Sequence, residues 1–567
     1  MSLWGTLNVA KSALAVNQAA LQTIGNNIAN AGNEDYSRQR VDLHSTKPQE
    51  YRPGLFLGTG VDITDIRRQV DDSLNQRMRS AISDAEGDQA ATEWLTRLES
   101  VYNELGDNDL STSYSNFFNS WSDLANKPQD MGLRQVVVQR GQNLADQMKG
   151  LRTQMQSLRS DVNERVKGYA GDVDSLFQKV ADLNRQIATA EVSGGSNNAL
   201  QDDRDAALKD LSKLVNITVH PRKDSSVVDV SIGNEPVVIG TTNRGIRVRQ
   251  DVDAEGNITQ SLVTKDTDGA LNITSGVLGA VVGAHDVISS NIHNLDKMAQ
   301  TVIFELNKIH SAGQGLQGFS TVTSEHAVDD ETAALNTDAA NLPFTPTNGS
   351  FVVRVKDKST GAVTSTLVNV DLDGTGTQTS LQSLAASIDA IPNISATITG
   401  GRLTVSADSN AVDVGFSQDS SGVLATLGIG NFFTGQDAND IAVNDAIVTD
   451  PRYLAASKNG QPADNQTAKA IAALETTQVA TLNGRTLKET YEGTLNDIAS
   501  RVAGSKTDAA AAAAVRDTLA SQREAVSGVS LDEEAIALMR FQRAYQSAAK
   551  VVSATDEMLQ TVLNLVR

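Results

Sequence analysis

Both ends of this 567-residue chain carry an unbroken apolar stripe, and nothing else in the sequence constrains the fold as strongly. Leu3, Leu7, Ala10, Leu14, Asn17, Leu21, Ile24 and Ile28 follow one another at spacings of 4, 3, 4, 3, 4, 3 and 4. Such alternation marks the seam of a coiled coil rather than the broader face of a globular helix. Asn17 is the one polar seam position, a residue type that fixes register at some cost in stability. The helix should stop at Asn30-Ala31-Gly32-Asn33, since Gly and Asn accept left-handed backbone. At the other end Leu538, Phe541, Tyr545, Ala548, Val552, Thr555, Leu559, Val562 and Val566 repeat the alternation. Ser530 supplies an N-cap there, with Asp532 and Glu533 in the first turn.

Chain ends normally lose order. Two complete stripes at the ends each need a partner. Pairing with one another inside a single molecule is the simplest arrangement, yet a two-helix pair leaves much of each seam half covered. Burying one seam side chain stabilises by ~1.5–3 kcal/mol at most, and ordering entropy opposes it. Both ends are therefore expected to be disordered in the free monomer and helical in an assembly of like subunits.

More helix lies between. Leu144, Met148, Leu151, Met155, Leu158 and Val162 keep the same alternation, and after one stutter it resumes through Val166, Tyr169, Val173, Leu176, Val180, Leu183 and Ile187. A stutter locally unwinds a supercoil, and Gly168 and Gly171 are where a kink would be easiest. Ser193–Asn198 has loop composition, and a short helix rich in acid–base pairs follows from Leu200 to Val215. Another seam runs Ile288, Ile292, Leu295, Ala299, Val302, Leu306, Ile309, and residues near 467–527 have helical composition. Period-two patterns occupy Val228–Ile239, Phe351–Val355, Leu367–Leu372 and Ile394–Val405.

The expected fold class is mainly α with inserted β-domains: terminal coiled-coil helices plus an elongated helical bundle built from discontinuous segments. The divisions are 1–40, a coiled-coil helix pairing with 528–567; 41–215, the first part of the bundle; 216–276, a small β-domain; 277–315, a bundle helix; 316–455, an outward β-domain; and 456–527, the return of the bundle. Aromatic residues are only 4% of the chain, which suits narrow helical seams and small β-domains better than large enclosed cores.

Chemistry is sparse. Lys plus Arg is 48 against 69 Asp plus Glu, a net charge of −21, which repels nucleic-acid backbones and anionic lipid. The absence of cysteine excludes disulfides, thiolate metal sites and cysteine nucleophiles. No apolar run is long enough to span a bilayer, and Met1–Lys11 does not read as a secretory signal. Asp251–Thr259 matches much of a calcium loop, but Leu262 stands where the bidentate carboxylate belongs, so it reads as a hairpin turn. The six histidines are scattered, His285 and His293 being too far apart along one helix to share an ion. No phosphate loop, serine elbow or zinc helix motif is present. No catalytic, cofactor-binding or metal-ligating residue is assigned.

Four stretches resemble one family. Leu21-Gln22-Thr23-Ile24-Gly25-Asn26-Asn27-Ile28-Ala29-Asn30, followed by Tyr36-Ser37-Arg38-Gln39, is similar to the N-terminal signature of the bacterial flagellar rod, hook and hook-associated proteins. Ser527–Glu534 through Phe541–Gln546 is similar to their C-terminal signature. Leu200–Asp205 with Leu211–Val215, and Asn431–Gly435 with Ile441–Asn444, resemble the hook–filament junction members of that group. Gly32-Asn33-Glu34-Asp35 departs from the Asn-Thr-Pro-Gly usual there, which leaves the turn open to a different form.

The resemblance implies a structural subunit, not an enzyme, exported unfolded through the flagellar type III channel and located in the extracellular flagellum. It implies assembly into a short helical ring through the terminal seams, with Leu3, Leu7, Leu14, Asn17, Leu21, Ile24, Ile28, Leu538, Phe541, Tyr545, Val552, Leu559 and Val562 as subunit-assembly residues. The implied partners are copies of the chain itself, hook protein on the cell-proximal side, a second junction protein on the filament side, and an export chaperone on the C-terminal helix, with no cofactor, nucleic acid or membrane. Two alternatives stay open: another axial role of hook or distal-rod type, and an axial protein carrying a hydrolase in its β-insert.

Overall fold

A continuous helix, Leu3–Ala29, opens the chain, and another, Leu531–Leu565, closes it. The computed structural model describes residues 3–102, 109–192, 197–223, 225–252, 258–461 and 463–565. The chain is mainly helical with inserted β-regions, and it divides into two compact units. Residues 1–94, 162–286 and 503–567 form one; 95–161 and 287–502 form the other.

In the first unit the two terminal helices pack side by side. Both are helical and paired within one chain, which corrects the expectation of disorder without other subunits. Strands Gln39–Ser45 and Val61–Arg68 pair antiparallel from Gln39↔Arg68 to Ser45↔Val61 and pack on the N-terminal helix. A hairpin, Gln49–Arg52 with Leu55–Leu57, lies between them, its turn made by Gly54 at φ +81°. This region was expected to be bundle helix. Val61, Ile63 and Asp62, Thr64 alternate with period two, and Pro48, Pro53, Gly54, Gly58 and Gly60 exclude a helix.

Also in this unit is a four-stranded antiparallel sheet of Thr218–Pro221, Val228–Ile232, Glu235–Ile239 and Thr242–Asn243, in that order. Strands Ile246–Val252 and Ile258–Thr264 then pair as a hairpin. Asp253–Asn257, the centre of the calcium-like motif, lie outside the described residues, as do Ser193–Ser196 and Val566. Asn184 ties helix to sheet: its Nδ2 donates to Val228 O at 2.8 Å and Gly240 O at 2.7 Å.

Helix Met131–Val192 runs unbroken through Gly168 and Gly171. Before the stutter its buried residues match the seam read from sequence. After it the buried positions are Val166, Ala170, Val173, Phe177 and Val180, while Tyr169 and Leu176 are only half buried. Only these two positions move by one residue; Val166, Val173, Val180, Leu183 and Ile187 stay on the expected stripe.

The second unit gathers much of the chain's scarce aromatic content. Helix Leu110–Asn126, capped by Asp109, carries Tyr114, Phe117, Phe118 and Trp121 on one buried face. Phe117 packs at a tilt against Phe432 and Phe433, and Trp121 meets Phe432 edge-on, at centroid distances of 5.5–5.7 Å. The Asn431–Gly435 motif is held there by Asn307, whose Oδ1 accepts from Phe432 N at 2.9 Å and Phe433 N at 3.1 Å. Strand Gly349–Asp357 lies between Val363–Val370 and Val412–Ser417, and a second sheet orders Thr321–Thr323, Arg402–Ala407 and Ile394–Thr399. Phe351, Val353, Leu381, Ile388, Leu403 and Val405 form their shared core. The helical composition at 467–527 resolves into Gln466–Ala473 and Leu487–Ser527. They are separated by a turn in which Asn483 and Gly484 take φ of +56° and +75°, which a helix cannot accommodate.

Gly141 on the long helix faces the Phe432 ring, and a Cβ there would come within 2.7 Å of it. Alanine is the better helix former, yet overpacking a filled core costs more than that gain. Gly141→Ala should destabilise the protein by about 1–3 kcal/mol in chemical denaturation.

His310 is buried against Trp121 and Phe432. Its Nδ1 donates to Gly430 O at 2.8 Å and its Nε2 accepts from Ala455 N at 2.9 Å, so the neutral ring is fully satisfied. Burial lowers its pKa to about 4, with Arg134 adding to the effect. Between pH 6.5 and 4 the unfolded chain takes up a proton that the folded chain refuses. Stability from His310 is thus complete above 6.5 and declines toward 4, with His326, also lowered to about 4, adding in the same window. Thermal melts of His310→Gln should show a flatter decline over that range than the unaltered protein.

Candidate assembly site

The terminal pair is clasped at one end by residues drawn from four separate stretches of chain. The N-terminal helix ends at Ala29, where Asn30 N still donates to Asn26 O at 3.1 Å. The turn at Gly32–Asp35 closes through Asn33: its O accepts from Tyr36 N at 3.1 Å and its Oδ1 from Asp35 N at 3.1 Å. This turn returns Tyr36, Ser37 and Arg38 toward the helix they follow.

Asn27, almost fully buried, is the hub. Its Oδ1 accepts from the Tyr36 hydroxyl at 2.8 Å and from Gln39 N at 3.0 Å. Its Nδ2 donates to Gln39 O and to Glu534 Oε2, both at 3.0 Å. The Glu534 carboxylate is 2% exposed, and its other oxygen accepts from Arg38 Nε at 2.7 Å. Arg38 Nη1 also reaches Glu533 at 2.5 Å, and Arg38 N donates to Ser527 O at 2.9 Å. Glu533 and Glu534 stand in the first turn of the C-terminal helix, where the helix dipole favours acids.

A fourth stretch supports the turn from the side. Asp202 Oδ2 accepts from Ser37 N at 3.4 Å, while Arg68 Nη1 bridges Asp202 and Asp205 at 2.8 Å each. Burial raises the Asp202 pKa against the lowering effect of Arg68. Burial, followed by the charges of Asp202 and Glu534, pushes the Tyr36 hydroxyl up to about 12, so it stays a donor. The Asn27 amide is bonded on both sides and Glu534 through both oxygens, and a buried polar network of this kind specifies one geometry.

Beyond the clasp the seam residues are unequally covered. On the N-terminal helix Asn17 and Ile24 are buried, and Leu3, Leu7, Leu14 and Leu21 are half buried. Ile28 is 36% exposed, and the buried position beside it is Asn27. Asn17 Nδ2 donates to Ala13 O at 2.7 Å, so its amide is engaged by its own helix. On the C-terminal helix Phe541, Val552 and Leu559 are half buried. Leu538, Tyr545 and Val562 are exposed, Val562 by 46%. Ala10, Val16, Ala20 and Thr23 are also buried on the N-terminal helix, and Ala548 and Thr555 on the C-terminal one.

Ile536, Met539, Val551, Met558 and Leu563 add to the exposed apolar surface of the C-terminal helix. Sequence reasoning quoted Asn27, Tyr36, Arg38, Asp202 and Glu534 within motifs but gave none of them a role. The missed signal was a set of polar residues beside apolar stripes. Among the described residues no cluster of His, Asp and Glu has the arrangement to hold a metal ion, and no helix is long and apolar enough to cross a membrane.

Comparison with known proteins gives a consistent set. The family described as flagellar hook-associated protein FlgK helical domain matches residues 95–323, and that described as flagellar basal body rod FlgEFG protein C-terminal matches 520–565. The chain is 24% identical over 571 residues to flagellar hook-associated protein 1 of Escherichia coli strain K12, covering 99% of each. It is 25% identical over 571 residues to flagellar hook-associated protein 1 of Bacillus subtilis strain 168, covering 98% of this chain and 97% of that one. The flagellar hook junction protein FlgK from Burkholderia pseudomallei, a solved structure, matches with a TM-score of 0.49 and 17% identity, over 80% of this chain and 100% of that one.

Proposed function

We propose that the chain belongs to the flagellar hook-associated protein 1 family and is a structural subunit of the bacterial flagellum that forms the hook–filament junction. The subunits associate through their paired terminal helices into a short helical ring. A head-to-tail contact of this kind does not close on itself and so builds a tube. Hook protein meets one side of the ring and a second junction protein the other. Export precedes assembly, through the flagellar type III channel, with a chaperone covering the C-terminal helix; a chain without cysteine cannot cross-link on the way.

One observation carries this reading. The C-terminal helix is paired with its partner and still exposes Leu538, Tyr545 and Val562 along the same stripe. A chain meant to remain single would have no use for that surface.

The test is deletion of 538–567 in the cell that makes the protein. The expected result is a soluble product that no longer incorporates at the hook tip, giving a non-motile cell that sheds unpolymerised flagellin. Motility surviving the deletion would remove the assembly role from this helix.

A further inference from the structure

We propose that the second unit contains a binding site for a small oxyanion, a carboxylate or phosphate group, in the cavity between the Gly349–Asp357 strand and the Gly313–Phe319 loop. The cavity has a volume of ≈ 300 Å³. One wall is the face of the sheet that turns away from its core. Phe351, Val353 and Val355 are buried on the inner face, so Arg354 and Lys356, alternating with them, share the outer one. Gly415 stands opposite Arg354 in register, and a Cβ there would lie 3.7 Å from Gln314 Nε2, so both side chains reach the same stretch of the sheet face.

The other wall is a loop with little freedom to move. Gln314 N donates to Ser457 O at 2.7 Å, Leu316 N to Arg452 O at 2.8 Å, and Phe319 exchanges two 2.8 Å bonds with Val414. A Cβ on Gly315 would come within 2.3 Å of Arg452 O, so the glycine is required for this close approach. The site is therefore held in shape before any ligand arrives.

Its chemistry is one-sided. Arg354 Nη1 is fixed to Asn459 O at 2.8 Å, but Arg354 Nε is buried without a partner, and so is Gln314 Nε2. Both are donors. A buried donor left unmade is costly, and what satisfies both is an acceptor. Lys356, exposed at the rim, makes no ion pair among the described residues. The two acids of the lining are already engaged: Asp413 pairs with Lys358 at 2.9 Å, and Asp464 accepts from Ser457 Oγ, Lys458 N and Asn459 N. In a chain of net charge −21, two cations and two unmet donors around one cavity select an anion.

The experiment is isothermal titration of the full chain with inorganic phosphate and, separately, with glucuronate, at fixed ionic strength, with glucose as the neutral control. Saturable binding of either anion and none of glucose is expected; which anion binds distinguishes the phosphate source from the carboxylate source. Lys356→Gln, at an exposed position, should weaken binding about tenfold. Arg354→Lys keeps the charge, loses Nε, and should weaken it at least as much. Heats no larger than chloride gives, equal binding of glucose, or affinities unchanged in both variants would overturn the proposal.

Discussion

Aspartate at Leu538, Tyr545 and Val562 together should leave the isolated protein as stable as before and abolish its assembly. All three are exposed in the single chain, and exposed substitutions away from special features usually change stability by no more than about 0.5 kcal/mol. In an assembly the same positions would be buried, and three unpaired carboxylates there would be prohibitive. The contrast is Ala548→Asp. Ala548 is closed off between the terminal helices, so a carboxylate there should separate them even in the monomer. Thermal denaturation read alongside incorporation at the hook tip distinguishes the two outcomes. A large fall in melting temperature for the triple variant would mean that the stripe is already covered in the monomer.

Glu534→Ala should loosen both terminal helices at once. It removes the acceptor of Arg38 Nε and Asn27 Nδ2 and leaves the partly buried guanidinium with Glu533 alone. Removing one member of a buried charge pair costs about 3–5 kcal/mol; the 24% exposure of the Arg38 side chain puts the expected loss at the lower end. Hydrogen exchange should accelerate across 3–29 and 531–565 together, while residues 110–126 stay protected. Glu534→Gln retains one acceptor for Arg38 and should lie between the two. Acceleration confined to the first turn of the C-terminal helix would show that the helices are held by their apolar contacts, not by the clasp.

What was readable in advance follows the range of the interactions. The terminal helices, the long helix through 144–187 and the helix through 288–309 are visible because an apolar stripe is a local pattern. The strands at 39–68 carried a local signal too, in Val61 and Ile63 and in the glycines and prolines around them, but its alternation is brief. Helix Leu110–Asn126 escaped notice although its buried aromatic face is the densest in the chain, because low overall aromatic content says nothing about where the aromatics gather. Asn431–Asn444 was recognisable as a motif. Its task, seating Phe432 and Phe433 against Phe117 and Trp121 under the control of Asn307, depends on residues more than a hundred positions away.

By itself the sequence determined that both ends are amphipathic helices, that no cysteine chemistry operates, and that β-regions interrupt a helical chain. Each of these depends on local spacing or on composition alone, not on which distant residues meet. Only the tertiary structure decided which seam residues are closed off and which remain exposed. It alone brought Asn27, Arg38, Asp202 and Glu534 into one network across as many as 507 positions of chain. The physical reason is that heptad spacing sets a helical face but not its neighbour. A buried hydrogen bond forms only where two distant backbones meet at about 3 Å, and that is a property of the folded path.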